Sequence, residues 1–411
     1  MKFGLEGIQD LLSVLGHPHL NFPTIHVAGT NGKGSTAAML AAIFTAAGYK
    51  TGLYTSPHLV DITERIRING KPINKNSLSF ITKILEKELQ ERHSTFFEAI
   101  TAIAFSYFSQ EDVDIAIIET GLGGRLDSTN VIHPLVSIIT NISLEHTEVL
   151  GATLRKITSE KAGIIKKDTP CITGVSDPQC IEILREVCKK QKSELILTDK
   201  FEVKLKDYSL FKTISTITSS EKRYRNFELR LGGLYQLQNL KLVLSAVEVL
   251  NKKSRFHISE KALRLGLKNV ISFSGIQARC MLWSRRSNIL LDVAHNSGAI
   301  ETLVDTLKEL QKVPIDVVLG VLKDKDYSSM IKKLAPIVRR AYVAPPQSER
   351  ARDAADLEQV FHELQVSVRS YRSPTRAIQS VIKANEGKHT ILVTGSHYLV
   401  GEIIAYLNKR A

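Results

Sequence analysis

The stretch HVAGTNGKGST, at positions 26–36, lies between the apolar pair Thr24–Ile25 and the small-residue segment AAMLAAIFTAAG. An apolar strand that ends in a glycine-rich turn and opens onto a helix presents backbone N–H groups that bind phosphate. The spacing departs from the usual G-x-x-x-x-G-K-[ST] pattern, because only two residues separate the first two glycines and a third glycine follows Lys33. The stretch therefore predicts a nucleotide site rather than a plain glycine-rich turn, but it does not identify the reaction.

The loop residues are suited to phosphate by their size and charge. Glycines keep the cradle free of Cβ atoms, and the lysine can reach the β- and γ-phosphates as a point charge. The predicted nucleotide-binding residues of the loop are Gly29, Thr30, Asn31, Gly32, Lys33, Gly34 and Ser35.

Short apolar runs bounded by turn residues alternate with helical patterns after this loop. The alternation predicts an α/β fold with a mainly parallel sheet covered by helices on both faces. Alternating, β-branched sequence over about 200–230 predicts a small antiparallel appendage, and a second α/β series follows. We expect a first domain over 1–272 and a second over 273–411. The helical patterns of the second domain fall at about 299–311, 328–336, 354–364, 374–384 and 398–408.

Composition restricts the classes of protein to consider. The N-terminal residues include Glu6, Gln9 and Asp10 and so offer no continuous apolar core for a signal peptide, and no apolar run approaches the length of a membrane span. We therefore expect a soluble, cytoplasmic protein without a membrane partner. The four cysteines form no CxxC pair, which argues against a disulfide framework and a structural zinc site. The net charge of +13 attracts anions, but the basic residues are dispersed and aromatic residues make up only 6%. We therefore expect anionic small substrates and no nucleic acid.

Three polar side chains follow apolar runs that we expect to be neighbouring strands. Ser56 follows GLYT, Glu119 ends IAIIE, and His146 follows SIITNISLE. Parallel strands would bring all three to the edge that carries the phosphate loop, and Mg²⁺ prefers oxygen ligands such as those of Ser56 and Glu119. Each residue alone is more often structural, but their joint placement favours a metal site.

Two motifs of the C-terminal half also place polar groups after strands. LDVAHNSGA puts Asp292, His295 and Asn296 there, and VTGSHYLVG puts Ser396 there. These groups could bind ribose or substrate, or Asn296 and Ser396 could simply cap helices. Lys161, in SEKAGIIKK, would ordinarily be a surface residue.

Read in order, the motifs resemble those of the folylpolyglutamate synthase and dihydrofolate synthase family within the Mur-ligase superfamily. The resemblance runs almost end to end through GTNGKGS, TSPHLVDITERIRING, TFFEAITAIAF, IIETGLGGRLDSTNVI, ITNISLEHTEVLG, SEKAGIIK, LDVAHN, LGVLKDKD and VTGSHYLVGE. It implies a Mur-ligase-type central ATP-binding domain followed by a Rossmann-like domain, with ATP between them.

The resemblance also implies a reaction and its reactants. Such an enzyme joins L-glutamate to dihydropteroate and to the γ-carboxyl of folates, using ATP as co-substrate and Mg²⁺ as cofactor. The acceptor carboxylate would take the γ-phosphoryl group to give an acyl phosphate, which the glutamate amine then attacks. Charge stabilisation and positioning suffice for this chemistry without a covalent enzyme intermediate. We expect a monomer.

Family roles carry over to single positions. The implied metal ligands are Ser56, Glu119, His146 and a carbamylated Lys161, and the implied catalytic residues are Lys33, Lys161 and His146. The implied nucleotide contacts of the C-terminal half are Asn239 and Asp292, whereas His295 and Ser396 would face the incoming glutamate. The implied pterin-binding residues are Thr95, Phe97, Leu126, Asp127 and Ser128, together with Phe3 and Gly4.

Two departures bear on the nucleotide contacts. The family's phosphate-binding arginine directly after an interdomain glycine is missing here, and the nearest arginine to Gly275 is Arg279. The common His-Gln pair before the nucleotide-binding asparagine reads Tyr235-Gln236.

Other functions remain as alternatives. One is an enzyme with only one of the two ligase activities. A UDP-sugar peptide ligase would need a uridine-binding domain, for which the residues before the loop leave no room. A P-loop NTPase or kinase of other specificity would leave the C-terminal motifs unexplained.

Overall fold

The computed structural model describes residues 4–91, 93–284 and 288–409, and the chain forms three sheets. The strands of the first sheet are β1 (Thr24–Ala28), β2 (Thr51–Tyr54), β3 (Ile66–Ile68), β4 (Lys71–Pro72), β5 (Ile115–Glu119), β6 (Val136–Ile139), β7 (Cys171–Thr173) and β8 (Leu195–Leu197). Their order is β4-β3-β2-β5-β1-β6-β7-β8. Only β3 and β4 pair antiparallel to their neighbours, so the prediction of a mainly parallel sheet is confirmed.

Helices cover both faces of this sheet. They are α1 (Glu6–Val14), α2 (Lys33–Ala46), α3 (Lys75–Glu91), α4 (Phe96–Gln110), α5 (Thr147–Leu150), α6 (Leu154–Ala162), α7 (Pro178–Lys190), α8 (Gln236–Lys253), α9 (Glu260–Lys268) and α10 (Val270–Ser274). Helix α2 is buried along its whole middle, from Gly34 to Phe44, which explains its small and apolar residues on every side. The start of α2, and with it the phosphate loop, is therefore fixed in the core.

A three-stranded antiparallel sheet extends this core. Its strands are β9 (Glu202–Tyr208), β10 (Thr213–Thr218) and β11 (Arg223–Leu229), in the order β11-β10-β9. Every second residue of β10 is buried, as expected for a sheet with one face on a core and the other in solvent. We call β1–β11 with their helices the N-terminal lobe.

The third sheet forms the C-terminal lobe. Its strands are β12 (Met281–Ser284), β13 (Ile289–Leu291), β14 (Ile315–Leu319), β15 (Val338–Val343), β16 (Ser367–Ser370) and β17 (Thr390–Thr394). Its helices are α11 (Ser297–Glu309), α12 (Tyr327–Leu334), α13 (Ala354–Glu363), α14 (Pro374–Asn385) and α15 (His397–Asn408). The strand order is β12-β13-β17-β14-β15-β16, parallel except for β12.

Short 3₁₀ helices complete the described secondary structure. They span Pro18–Leu20, Ile62–Arg65, Ser128–Val131, Thr198–Lys200 and Ala335–Ile337. Across the described ranges, no helix is both long and apolar enough to cross a membrane.

The lobes meet where the strands of both parallel sheets end. A Cβ atom built on Gly401 of α15 would lie 1.9 Å from the carbonyl oxygen of Leu59. Helix α15 therefore packs directly against the loop that follows Ser56. Ligands of α/β proteins bind at the carboxyl ends of parallel strands, and these ends meet at the cleft between the lobes.

Candidate active site

The phosphate loop connects β1 to α2, and its glycines adopt backbone conformations that other residues rarely take. Gly32 precedes α2 with φ +83°, and Gly29 has φ +148°. The Lys33 ammonium donates to the carbonyl oxygens of Gly29 at 3.0 Å and Thr30 at 3.1 Å. The lysine side chain thus lies along its own loop, where its ammonium can contact the phosphate oxygens of a nucleotide.

Neighbouring strands hold the loop in place. Asn31 donates its backbone N–H to the Asn141 side chain at 2.8 Å, and its carbonyl accepts from the Thr140 hydroxyl at 2.6 Å. Both partners lie just after β6, next to β1 in the sheet. The loop is therefore preorganised rather than formed by a ligand.

Helix α8 supports the other side of the loop. Asn239 lies so close to Gly32 that a Cβ atom there would be 2.3 Å from its side-chain oxygen. Asn239 donates to the Gln236 side-chain oxygen at 2.8 Å, and Gln236 donates to the Ser35 hydroxyl at 3.2 Å. The hydroxyl beside the lysine is thus already engaged by α8.

Lys161, near the end of α6, is a buried lysine and not the surface residue that its local sequence suggests. It is 4% exposed and donates to the Gly29 carbonyl at 2.8 Å, the oxygen that Lys33 also contacts. Burial, together with the nearby Lys33 charge, lowers the pKa of Lys161 to about 7. A substantial fraction of this amine is neutral, and therefore nucleophilic, near neutral pH.

Glu119 lies at the end of β5, beside β1. Its carboxylate accepts the backbone N–H of Ser56 at 3.2 Å, which joins two of the predicted metal ligands. Burial raises the pKa of Glu119, while the Lys33 and Arg279 charges oppose that rise. A Cβ atom on Gly34 would lie 3.3 Å from the Arg279 guanidinium and 3.5 Å from the Glu119 carboxylate. Arg279 therefore occupies the phosphate end of the site, although it lies four positions after the interdomain glycine.

Glu145 is a buried carboxylate that joins the lobes. It lies before α5 and contacts the Lys325 ammonium at 3.2 Å and His295 Nε2 at 3.1 Å. Although burial acts in the opposite direction, His295 and Lys325 hold the pKa of Glu145 far below its usual range. His146 Nε2 lies 3.4 Å from the Lys325 ammonium, and burial with that charge lowers the pKa of His146 to about 4. The imidazole of His146 is consequently neutral at physiological pH, the form that binds a metal.

Asp292 follows β13 and is 5% exposed. Its carboxylate accepts the backbone N–H groups of Cys280 at 2.7 Å and Ala294 at 2.8 Å, and the Tyr235 hydroxyl at 3.2 Å. Burial raises the pKa of Asp292, and the Cys280 N–H opposes the rise. Tyr235, at the position of the family's histidine, thus links α8 to the C-terminal lobe.

The two candidate caps of the C-terminal lobe do cap helices. The Asn296 side chain accepts the N–H of Ala299 at 2.8 Å, and the Ser396 hydroxyl accepts that of Leu399 at 3.1 Å. Asn296 also contacts the Asn31 side chain through two hydrogen bonds. The capping interpretation therefore accounts for both residues; Ser396 also lines the cleft, and Asn296 also reaches the phosphate loop through Asn31.

One cavity of about 740 Å³ connects these groups. Among its lining residues are the phosphate loop, Ser56, Glu119, His146, Lys161, Asn239, Arg279, Asp292, His295 and Ser396. The structure thus brings together the metal, nucleotide and glutamate residues expected from the sequence. It does not bring the expected pterin-binding residues into the lining of this cavity.

Those pterin-binding residues have structural contacts beside the cavity. Thr95 caps α4 by accepting the N–H of Glu98. The Phe97 ring packs over Gly121, where a Cβ atom would be 2.4 Å from it. Asp127 accepts the N–H of Leu122 at 2.7 Å, while Ser128 is buried and Leu126 is half-buried. Gly4 is half-buried, and Phe3 lies outside the described residues.

The side chains expected to bind the metal can be compared with the ligands that Mg²⁺ requires. In the described ranges no group of three or more His, Cys, Asp or Glu side chains is placed to hold a metal ion. Mg²⁺ needs few protein carboxylates, however, because waters and phosphate oxygens complete its shell. The buried Glu119 carboxylate beside the phosphate loop fits an ion that binds together with a nucleotide.

Sequence reasoning missed two residues of the cleft, Glu145 and Lys325. Both lie inside quoted motifs, SLEH and LGVLKDKD. The signal available was an acidic residue beside a predicted metal ligand and a lysine after a predicted strand.

Comparisons with known proteins agree along the whole chain. Residues 27–247 match the Mur ligase middle domain, and residues 279–397 match the Mur ligase glutamate ligase domain. A Bacillus subtilis protein named dihydrofolate synthase/folylpolyglutamate synthase is 35% identical, covering 98% of this chain and 94% of the relative. The crystal structure of Thermotoga maritima folylpolyglutamate synthase is 34% identical with a TM-score of 0.86, covering 100% and 94%. An Escherichia coli structure in complex with DHPP and ADP is 31% identical with a TM-score of 0.88, covering 100% and 94%.

Proposed function

Since the chain belongs to the folylpolyglutamate synthase and dihydrofolate synthase family of Mur ligases, we propose that its cleft forms an amide between L-glutamate and a folate-type carboxylate. The protein is an ATP-dependent ligase. Its acceptors are dihydropteroate and the γ-carboxyl of folates, and the reaction runs through an acyl phosphate.

The observation that carries the proposal is the convergence of three basic side chains, two lysines and one arginine, at the phosphate loop. Lys33 and Lys161 share the Gly29 carbonyl, and Arg279 lies beside Gly34. Phosphoryl transfer needs charge stabilisation and alignment more than covalent chemistry. In the first step the acceptor carboxylate attacks the γ-phosphorus, the bond to the β-phosphate oxygen breaks, and ADP leaves. Lys33 and the loop N–H groups offset the charge that develops on the transferring group.

The opposite wall of the cleft suits the second substrate. His295 and Lys325 place positive or hydrogen-bonding groups around Glu145, and these groups match the carboxylates and the amine of glutamate. The neutral amine attacks the acyl carbon, the bond to the phosphate oxygen breaks, inorganic phosphate leaves, and the new amide nitrogen releases one proton.

Magnesium would be held by Ser56, Glu119 and His146, with Lys161 as a fourth position after carbamylation. When bound, Mg²⁺ neutralises phosphate charge and polarises the transferring group. Carbon dioxide adds to the neutral Lys161 amine with loss of one proton, and the resulting carbamate is an anion that can serve as an oxygen ligand. The pKa of about 7 for Lys161 supports this modification.

Glutamate-dependent phosphate release tests the function. The protein is assayed with ATP, Mg²⁺ and glutamate, once with dihydropteroate and once with a folate monoglutamate. We expect amide product with each acceptor, and no release when glutamate is omitted. Product with only one acceptor would show that the enzyme has only one of the two ligase activities. Phosphate release that needs neither acceptor nor glutamate would favour a P-loop NTPase instead.

Lys33→Ala tests whether the phosphate loop is needed for this reaction. Removing the loop ammonium should lower kcat by about 10²–10³-fold, the scale seen for loss of one preorganised group at a developing charge. An unchanged circular dichroism spectrum would show that the fold is retained.

A further inference from the structure

His26 is a buried histidine for which the reaction described above has no use. It lies in the middle of β1, three residues before the phosphate loop, and is 0% exposed. Its Nε2 atom lies 2.8 Å from the Thr129 hydroxyl, which in turn lies 2.5 Å from Oδ1 of Asp127. A polar chain of this kind in a core needs an explanation, because buried polar groups are costly unless they are satisfied.

The donor order of this chain follows from its last member. Burial raises the pKa of Asp127, but hydrogen bonds from Leu122 and Thr129 to its carboxylate oppose that rise. An ionised carboxylate can only accept, so the Thr129 hydroxyl donates to it. That hydroxyl must then accept from His26, which requires the proton on Nε2. The other nitrogen, Nδ1, is buried without a hydrogen-bond partner. Burial lowers the pKa of His26 to about 3, which keeps the ring in the neutral form with one N–H.

Asp127 closes the loop that leaves β5. Oδ1 accepts the backbone N–H of Thr129 at 3.0 Å, and Oδ2 accepts that of Leu122 at 2.7 Å. The carboxylate therefore ties both ends of the segment 122–129 together. The segment starts beside Glu119 and returns over the neighbouring strand β1, where His26 pairs with Ile118.

We propose that His26 is a positioning residue for the acceptor substrate: through Thr129 it fixes the Asp127 carboxylate and, with it, the loop 121–129. This inference rests on the proposed function. Gly121, Leu122 and Gly123 of this loop line the cleft cavity, and the resemblance to the family implies that Leu126, Asp127 and Ser128 contact the acceptor. The strand that carries the phosphate loop thereby also sets the position of the acceptor loop. The strand β1 therefore helps to position both the acceptor carboxylate and the γ-phosphate.

The test separates acceptor binding from the rest of catalysis. Thr129→Val removes the hydroxyl while keeping the branched shape, and Thr129→Ser keeps the hydroxyl. We expect Thr129→Val to raise KM for dihydropteroate about tenfold, the effect of losing roughly one hydrogen bond. KM for ATP and for glutamate should stay within about twofold, and Thr129→Ser should restore the acceptor KM.

Two further variants exclude a general loss of packing. Thr306→Val removes a buried hydroxyl that bonds only within α11, and it should leave all three KM values unchanged. His26→Phe should raise the acceptor KM like Thr129→Val, and the double variant should be no worse than the more affected single variant.

Specific outcomes would overturn the inference. An unchanged acceptor KM in Thr129→Val, or equal increases in all three KM values, would show that the chain only stabilises the core. An unmodified protein that turns over neither acceptor would refute the proposed function itself, which the Thr129 variants do not address.

Discussion

Asn31 of the phosphate loop and Asn296 at the start of α11 exchange two side-chain hydrogen bonds across the cleft. Asn296 donates to Asn31 at 2.9 Å, and Asn31 donates back at 3.3 Å. The pair joins the nucleotide loop of one lobe to a helix N-terminus of the other. Closure of the lobes and the geometry of the phosphate loop are therefore linked through two amides.

Asn296→Ser tests that link. Serine caps helices as well as asparagine does, so the unfolding free energy should change by less than about 1 kcal/mol. The shorter side chain cannot reach Asn31, so we expect KM for ATP to rise several-fold. Steady-state kinetics and denaturant unfolding measure the two effects, and an unchanged KM would show that the amide pair does not support nucleotide binding.

Arg279→Gln tests the arginine beside Gly34. A hydrogen bond to a charged group contributes about 1.5–3 kcal/mol, so we expect KM for ATP to rise at least tenfold. Arg279→Lys should recover little, because an ammonium lacks the planar fork of a guanidinium. Arg369→Ala, on the exposed edge strand β16, is the matched control. Near-normal ATP kinetics in Arg279→Gln would place phosphate recognition elsewhere.

Carbamylation of Lys161 predicts uptake of labelled carbon dioxide. Only the neutral amine reacts, and burial lowers the pKa of Lys161 to about 7. Uptake should therefore rise as the pH increases through about 7. Carbon-13 NMR of protein equilibrated with labelled bicarbonate, ATP analogue and Mg²⁺ should show a carbamate signal. The signal should be lost in Lys161→Met and kept in Lys156→Met, which changes an exposed lysine of the same helix. Absence of the signal from both the wild-type protein and Lys156→Met would exclude the modification.

His26 also predicts how stability depends on pH. Its pKa is about 3 in the folded protein against 6.5 in the unfolded chain, so below pH 6.5 only the unfolded chain gains this proton. Stability must fall as the pH is lowered, by about 2 kcal/mol between pH 7 and pH 5 from this group. His26→Phe should lose that part of the pH dependence, as measured by chemical unfolding at both pH values. The same substitution at exposed His362 is the control, and parallel curves for wild type and His26→Phe would contradict the buried-neutral assignment.

The sequence predicted the fold well because the patterns concerned are local. Apolar runs between turn residues indicated the parallel sheet, and glycines with Lys33 indicated the loop after β1. The predicted helix starts at about 354 and 374 agree with α13 and α14. The start at about 299 was too late, because α11 begins at Ser297, after its Asn296 cap. Apolar periodicity marks the buried face of a helix and ignores its polar first turn.

The contacts within the cleft were harder to predict from the sequence, because they join residues that are far apart in the chain. Glu145 and Lys325 are 180 residues apart, and neither has a local pattern that indicates an ion pair. Burial was equally hidden for Lys161, which reads as a surface lysine on an amphipathic helix. Arg279 could be named as a candidate, but only its distance from Gly34 gives it a place beside the phosphate loop.

At Gly401 the absence of a side chain lets α15 pack closely against the backbone of Leu59 in the other lobe. A methyl group there would have to displace the Leu59 backbone or tilt α15 away from it, and no rotamer change could relieve that contact. Larger residues at this position would act as wedges of increasing thickness. The packing between the lobes can thus be altered by substitution at one position that is not itself part of the cavity lining.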